Sequence, residues 1–320
     1  MLQRSQKLTA LFFTFFISLF SLAQEKTAPR QLLENMRKAN EQLDYEIAFV
    51  QTTPVNMESL RYRHVNQNGK IYAQLITLDN APQEIVQRGN IISYFQPNYQ
   101  VFSLQGSQIV DNLPSIMWSN FDLLSNYYDF INIGRNRVAD RIVQTIRILP
   151  KDDFRYQYLV FIDEQSNLLL RSDMLDREGN LLDQFRVVNL HINEGLDDLP
   201  HYLNNITFPP LISRVEPSEV TNIPFSWNPE WLPKGFKLIN KMLNQDKENQ
   251  IESLLYSDGL FSFTLYCGHS IIPNIPENAW KQGSTTFYSE TKENKEFTFI
   301  GQLPLSTAKR IVQDIRYLSK

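Results

Sequence analysis

Cysteine is nearly absent. The 320-residue chain holds one, Cys267, so no internal disulfide can brace the fold and stability must come from packing. Cys267 lies in GLFSFTLYC, in phase with Phe261, Phe263 and Leu265, which makes it a small buried hydrophobe; intermolecular pairing is the alternative. Glycine is scarce as well, and none of the 11 belongs to a phosphate-binding loop. The four histidines, His64, His191, His201 and His269, are scattered, without the i, i+4 spacing of a helical metal site. No serine is framed as G-x-S-x-G. Asp152-Asp153, Asp163-Glu164 and Asp197-Asp198 are adjacent carboxylates in strands and turns, where neighbours point to opposite sides, so they suit turns better than acid/base chemistry. Net charge is -4, which leaves no global field for nucleic acid. Neither an enzyme nor a cofactor is expected.

What the chain does have is apolar surface: 42% hydrophobic and 12% aromatic residues, enough for globular cores. At ~150 residues per domain the length suits two. The first residues are not fold. Arg4 and Lys7 precede the apolar run LTALFFTFFISLF, and Ser21-Leu22-Ala23 offers a small-x-small site, so a secretory signal peptide over residues 1–23 is expected. The run is short of the ~20 residues of a membrane span, which makes an uncleaved anchor the minor alternative. Gln24 stands where a lipid-anchored protein would need cysteine.

APRQLLENMRKANEQLDYE reads as a helix, with Pro29 in its first turn and Leu32, Leu33, Met36, Ala39 and Leu43 along one stripe. From Tyr45 the period drops to two, and strands follow at short spacings, which signals antiparallel hairpins. Residues 113–130, LPSIMWSNFDLLSNYYDF, interrupt this ladder with helical spacing and apolar residues nearly all round, as in a segment buried on every side or covering something apolar. Between Phe154 and Val187 three further strands carry apolar side chains on both phases: Tyr156, Tyr158, Val160 and Ile162 on one, Leu159 and Phe161 on the other. A large α+β domain over residues 24–204 is expected, its sheet curving around inserted helices. Pro209, Pro210 and Pro217, with Pro224 just beyond, mark a linker over residues 205–222, and residues 223–320 form a smaller α+β domain ending in a helix capped by Ser306.

Two binding candidates emerge. Trp118, Phe121, Leu124, Tyr127, Tyr156 and Tyr158 form an aromatic surplus able to take lipid, although most such stripes are core. Arg61, Arg63, Arg135 and Arg137, with Arg141, could grip an anionic headgroup or an acidic partner through paired hydrogen bonds. The commoner role for such arginines is a solvated strand face with ordinary ion pairs.

The strings ESLRYRH, VQRGNIISYF, YDFINIGRNRVADR, LLDREGN with QFRV, FSWNPEWLPKGF, YSDGLFSF and LPLSTAKRI resemble the MucB/RseB family of sigma-E regulatory proteins, in order and over nearly all of the mature chain. The resemblance implies a periplasmic, non-enzymatic regulator. Such a protein binds the periplasmic part of the anti-sigma factor RseA, shields it from the site-one protease, and is released by lipopolysaccharide or related lipid. It also implies a large domain similar to the lipoprotein carriers LolA and LolB, an unclosed antiparallel β-barrel covered by helices, followed by a smaller C-terminal α+β domain. No short binding motif carries over to particular residues, and self-association stays open. The alternative is a periplasmic lipoprotein or lipid carrier of the LolA type, for which the second domain is surplus.

The signal-peptide reading predicts that intact mass spectrometry of the exported protein gives a chain beginning at Gln24 with no acyl group. A mass retaining residues 1–23 would show an uncleaved anchor.

Overall fold

A computed structural model describes residues 28–79, 82–97, 100–193, 195–212, 225–245, 250–270 and 277–317. The leader and the linker from residue 213 to 224 lie outside them. Helix α1 (Pro29–Gln42) begins with proline where a missing N–H costs nothing, and it buries Leu33, Met36 and Ala39.

Strands β1 (Tyr45–Thr53), β2 (Asn56–Gln67), β3 (Lys70–Thr77), β4 (Glu84–Arg88), β5 (Ile91–Phe95) and β6 (Phe102–Gln105) form one meander. Strands β7 (Tyr128–Val138), β8 (Arg141–Pro150), β9 (Gln157–Asp163), β10 (Leu169–Leu175) and β11 (Leu181–Ile192) form another. Pairing of β1 with β11 fuses them into a single open sheet of order β6-β5-β4-β3-β2-β1-β11-β10-β9-β8-β7. Its inner face carries Tyr45, Ile47, Phe49, Tyr62, Val160 and Phe185 under α1. The expected fold class, an unclosed antiparallel sheet covered by helices with a second α+β domain, is the one observed.

Residues 113–130 run from one sheet edge to the other, but they do not form the long helical segment expected. They contain a 3-10 turn (Ser115–Met117) and a single-turn helix α2 (Phe121–Leu124), whose cap Asn120 accepts from the Leu123 N–H. From Tyr128 onward the backbone is claimed by pairing with β8, beginning at Tyr128 opposite Pro150. Glu34 of α1 accepts from the Phe121 N–H at 3.1 Å and ties the insertion down.

The outer face near β2, β3 and β4 is covered by α3 (Asp198–Asn205), which buries Leu199 and Leu203 against Val65, Tyr72 and Val86. The chain beyond α3 does not leave the domain at residue 205. Ser103 of β6 donates its N–H to the Pro210 carbonyl (3.0 Å), and the Ile212 N–H returns to Ser103 (2.9 Å), so residues 206–212 remain docked on the sheet edge.

The second unit has a six-stranded sheet of order β13-β14-β15-β18-β17-β16. Its strands are β13 (Lys237–Gln245), β14 (Gln250–Ser257), β15 (Ser262–His269), β16 (Asn278–Gln282), β17 (Thr285–Lys292) and β18 (Lys295–Gly301). A short ribbon pairs β12 (Trp227–Pro229) with β19 (Ile315–Tyr317). Helix α4 (Leu305–Gln313) packs Ala308, Ile311 and Val312 onto Phe297 and Phe299. Pro304, not Ser306, occupies its N-cap, and Ser306 falls inside the first turn. Cys267 is buried, as expected, and burial pushes its thiol up to about 12, which keeps it protonated and inert.

The two units share one apolar core. At its centre the Arg155 side chain is fully buried. Its Nε donates to Asp258 at 2.8 Å, and its terminal nitrogens reach Asp152 and the Lys234 carbonyl. Tyr128 donates its hydroxyl to the same Asp258 carboxylate at 2.5 Å, and burial followed by that charge raises its pKa, so it stays a donor. Gly235 beside this site has φ +96°, and a Cβ there would lie 2.6 Å from the Tyr127 ring. Asp258→Ala is expected to cost about 3–5 kcal/mol in urea unfolding, because it strands a buried guanidinium. Arg137→Ala, whose partner Asp140 is exposed, should leave the unfolding midpoint unchanged.

Candidate binding site

The inner face of the sheet answers what covers its aromatic phase. Tyr158 stacks on Phe261 of the second domain with ring centroids 5.6 Å apart. Tyr156 donates to the Leu303 carbonyl at 3.1 Å. Ser115 and Ser119 of the insertion donate to the carbonyls of Leu260 (2.9 Å) and Gly259 (3.0 Å). The loop Asp258-Gly259-Leu260-Phe261 therefore plugs the mouth that the insertion leaves open.

Beside this plug remains a cavity of about 250 Å³, floored by Gln51, Ser172, Met174, Asp183 and Phe185 and roofed by Leu113, Pro114 and Gln302. That is room for about eight waters. Tyr158 lines it; the other lipid candidates do not. Phe121 and Leu124 are buried under α1, Phe121 edge-on to Phe130 at 6.0 Å. Trp118 is half-buried against the core, Tyr127 packs on Gly235, and Tyr156 lies in the seam. The aromatic surplus divides between the core under α1 and the interface between domains.

Among the described residues that line the cavity, Asp183 is the charged one, with no lysine or arginine beside it. Burial raises its pKa; hydrogen bonds from Gln51 and Ser284 offset this in part, with Ser284 Oγ at 3.5 Å. In LLDQFRV it shares a phase with Phe185 and Val187, a carboxylate on an apolar face, and that was the readable signal for it.

The four candidate arginines do not form one cluster. Arg61 and Arg63 project from the outer face of β2, where Arg63 pairs with Glu46 at 3.2 Å and with Asp198. Arg135 and Arg137 sit on edge strand β7, paired with Glu164 and Asp140 at 2.7 Å each. Five strands lie between β2 and β7. Arg141 pairs with Asp163 at 2.8 Å. Burial pushes Asp163 up, but hydrogen bonds from Arg141 and Ser166 hold it below the usual carboxylate value.

Among the described residues no group of His, Cys, Asp and Glu is arranged to hold a metal ion, and no helix is long and apolar enough to cross a membrane. Two serines have S-x-x-K spacing, Ser289 and Ser306. Lys292 is spent on the Val312 and Gln313 carbonyls and Lys309 on Glu277, so neither lysine is free to act as a base.

Asp183→Asn is expected to stabilise the protein at pH 7. Because the folded carboxyl titrates above the ordinary 3.8, the native state loses stability as pH rises through that raised value, and asparagine is spared the loss. Urea unfolding at neutral and acid pH checks the sign: the gain should shrink as pH falls from the raised value towards 3.8 and be essentially gone below it. A gain of equal size at both pH values would trace it to packing.

The family model of the MucB/RseB N-terminal domain matches residues 28–212, and that of the MucB/RseB C-terminal domain matches residues 221–316. The sigma-E factor regulatory protein RseB of Haemophilus influenzae is 54% identical over 312 residues, covering 97% of this chain and 98% of that protein. RseB of Escherichia coli strain K12 is 41% identical over 303 residues, covering 93% and 94%. The crystal structure of MucB in complex with MucA(peri) superposes with a TM-score of 0.72 at 23% identity, over 92% of this chain and 100% of that one. That last likeness shows the same fold. With matches to both domains and near full-length identity to its named relatives, the chain belongs to the MucB/RseB family.

Proposed function

We propose that this protein is a periplasmic, non-enzymatic regulator of a sigma-E-type envelope-stress response. It binds the periplasmic part of an RseA-type anti-sigma factor, shields it from site-one proteolysis, and is released by lipopolysaccharide or related lipid. The observation that carries the reading is the 54% identity to an RseB regulator over nearly the whole of both chains. A relative in complex with MucA(peri) supports partner binding as the mode of action.

The seam supports the releasing step. One acyl chain buries about 0.8 kcal/mol per CH₂, so a long chain supplies ample free energy to rearrange a protein contact. The cavity of about 250 Å³ is far too small for a whole lipid while Phe261 and Leu260 plug the mouth. Lipid entry therefore requires the second domain to shift, and a partner that grips both domains would lose its footing. The same plug disfavours a simple carrier, which needs an open groove.

Titration with the periplasmic domain of the anti-sigma factor, with and without lipopolysaccharide, tests this. Tight binding weakened by lipid is expected. A tenfold loss of partner affinity must be matched by a tenfold loss of lipid affinity in the complex, about 1.4 kcal/mol of coupling. Unchanged affinity at saturating lipopolysaccharide would overturn the releasing step, and absence of partner binding would overturn the function.

A further inference from the structure

The outer face of the N-terminal sheet carries positive charge that the described residues do not fully balance. Register places Arg61 opposite Ala48, Arg186 opposite Val50, Arg171 opposite Arg186, and Arg147 opposite Leu159, all on the face away from α1. Two of these strands thus set like charges directly across from each other, an unfavourable pair when left uncompensated. Arg171 is compensated: Asp173 takes both its Nε (2.9 Å) and terminal nitrogen (2.6 Å), and the guanidinium lies over Phe161. Arg63 is held by Glu46. Arg61, Arg147 and Arg186 have no acidic partner among the described residues. Arg147 spends two donors on the Gln157 amide oxygen, and the buried Nε of Arg61 has no hydrogen-bond acceptor among the described residues.

Strand geometry sets the scale. Arg61 and Arg186 are two strands and two residues apart, roughly 12 Å between Cα atoms, with Ala48 and Val50 as a low apolar floor between them. The row from β2 to β8 crosses five inter-strand spacings, about 24 Å, which matches an extended segment of about seven residues. At the Arg61 end it opens into a groove of about 500 Å³ beside α3. A single bound anion would need one end of such a row; a polypeptide with spaced carboxylates would use its length.

We propose that this arginine row receives an extended acidic segment of the anti-sigma partner, an assignment that rests on the function proposed above. Carboxylates bridge Arg61 and Arg186 over the Ala48–Val50 floor and give the Arg61 Nε the acceptor it lacks. The interaction is charge-assisted and paired, so it weakens with salt.

The test is affinity for the periplasmic domain of the anti-sigma factor at low and high salt. R61E/R186E, and R186E alone should the double variant fold poorly, are compared with K309E/R316E, which makes the same charge change on exposed residues of the second domain. Expected is a loss of about tenfold or more for the outer-face variants with a flattened salt dependence, and near wild-type behaviour for the control. Wild-type affinity in folded R61E/R186E overturns the assignment while leaving the function standing. A loss confined to vesicles containing anionic phospholipid, with partner affinity intact, overturns it in favour of a membrane surface. If the wild-type protein does not bind the anti-sigma domain, both the function and this assignment fall.

Discussion

One buried guanidinium organises the relation between the two domains. Removing Arg155 from water is costly, and the loss is offset only where every donor finds an acceptor at once. Those acceptors come from both units: Asp152 from the first, Asp258 and the Lys234 carbonyl from the second. Apolar rings around it, Tyr127, Tyr128 and Phe236, tolerate many orientations, but the ion pair tolerates few. The stacked Tyr158–Phe261 pair and the small adjoining cavity are positioned by that constraint. A seam of this kind has a defined closed state and a high penalty for partial opening.

The strand ladder was legible because alternation of period two survives in segments such as YEIAFVQT, where Tyr45, Ile47 and Phe49 are all buried. Helix α1 was legible for the same reason at period 3.6. Residues 113–130 form less helix than their spacing predicts, because apolar spacing says only that they are buried. Competition from β8 for the backbone at Tyr128 is a long-range event with no local mark. Pro209 and Pro210 read as linker in sequence, yet they offer their carbonyls to Ser103, a long-range contact that no local pattern marks.

The candidate sites were legible in composition and not in arrangement. Tyr156 and Tyr158 were recognised as an apolar face, but their cover is a loop a hundred residues away. Arg61 and Arg135 look alike in sequence and lie on opposite halves of the sheet, because pairing of β1 with β11 inserts five strands between them. Arg147, Arg171 and Arg186, which do share a face with Arg61, were separated from it by register that only the pairing reveals.

The docking of residues 209–212 on β6 also decides how copies of this domain can meet. The row of unpaired N–H and C=O groups on β6 is interrupted where Ser103 bonds to Pro210 and Ile212, while among the described residues β7 at the opposite end has no strand beyond it. A sheet with both edges open can extend without limit; a sheet with one can be matched only once. The docked residues thus obstruct one edge, and strand addition of β7 against β7 would be a two-fold arrangement that closes on itself instead of propagating into a fibre.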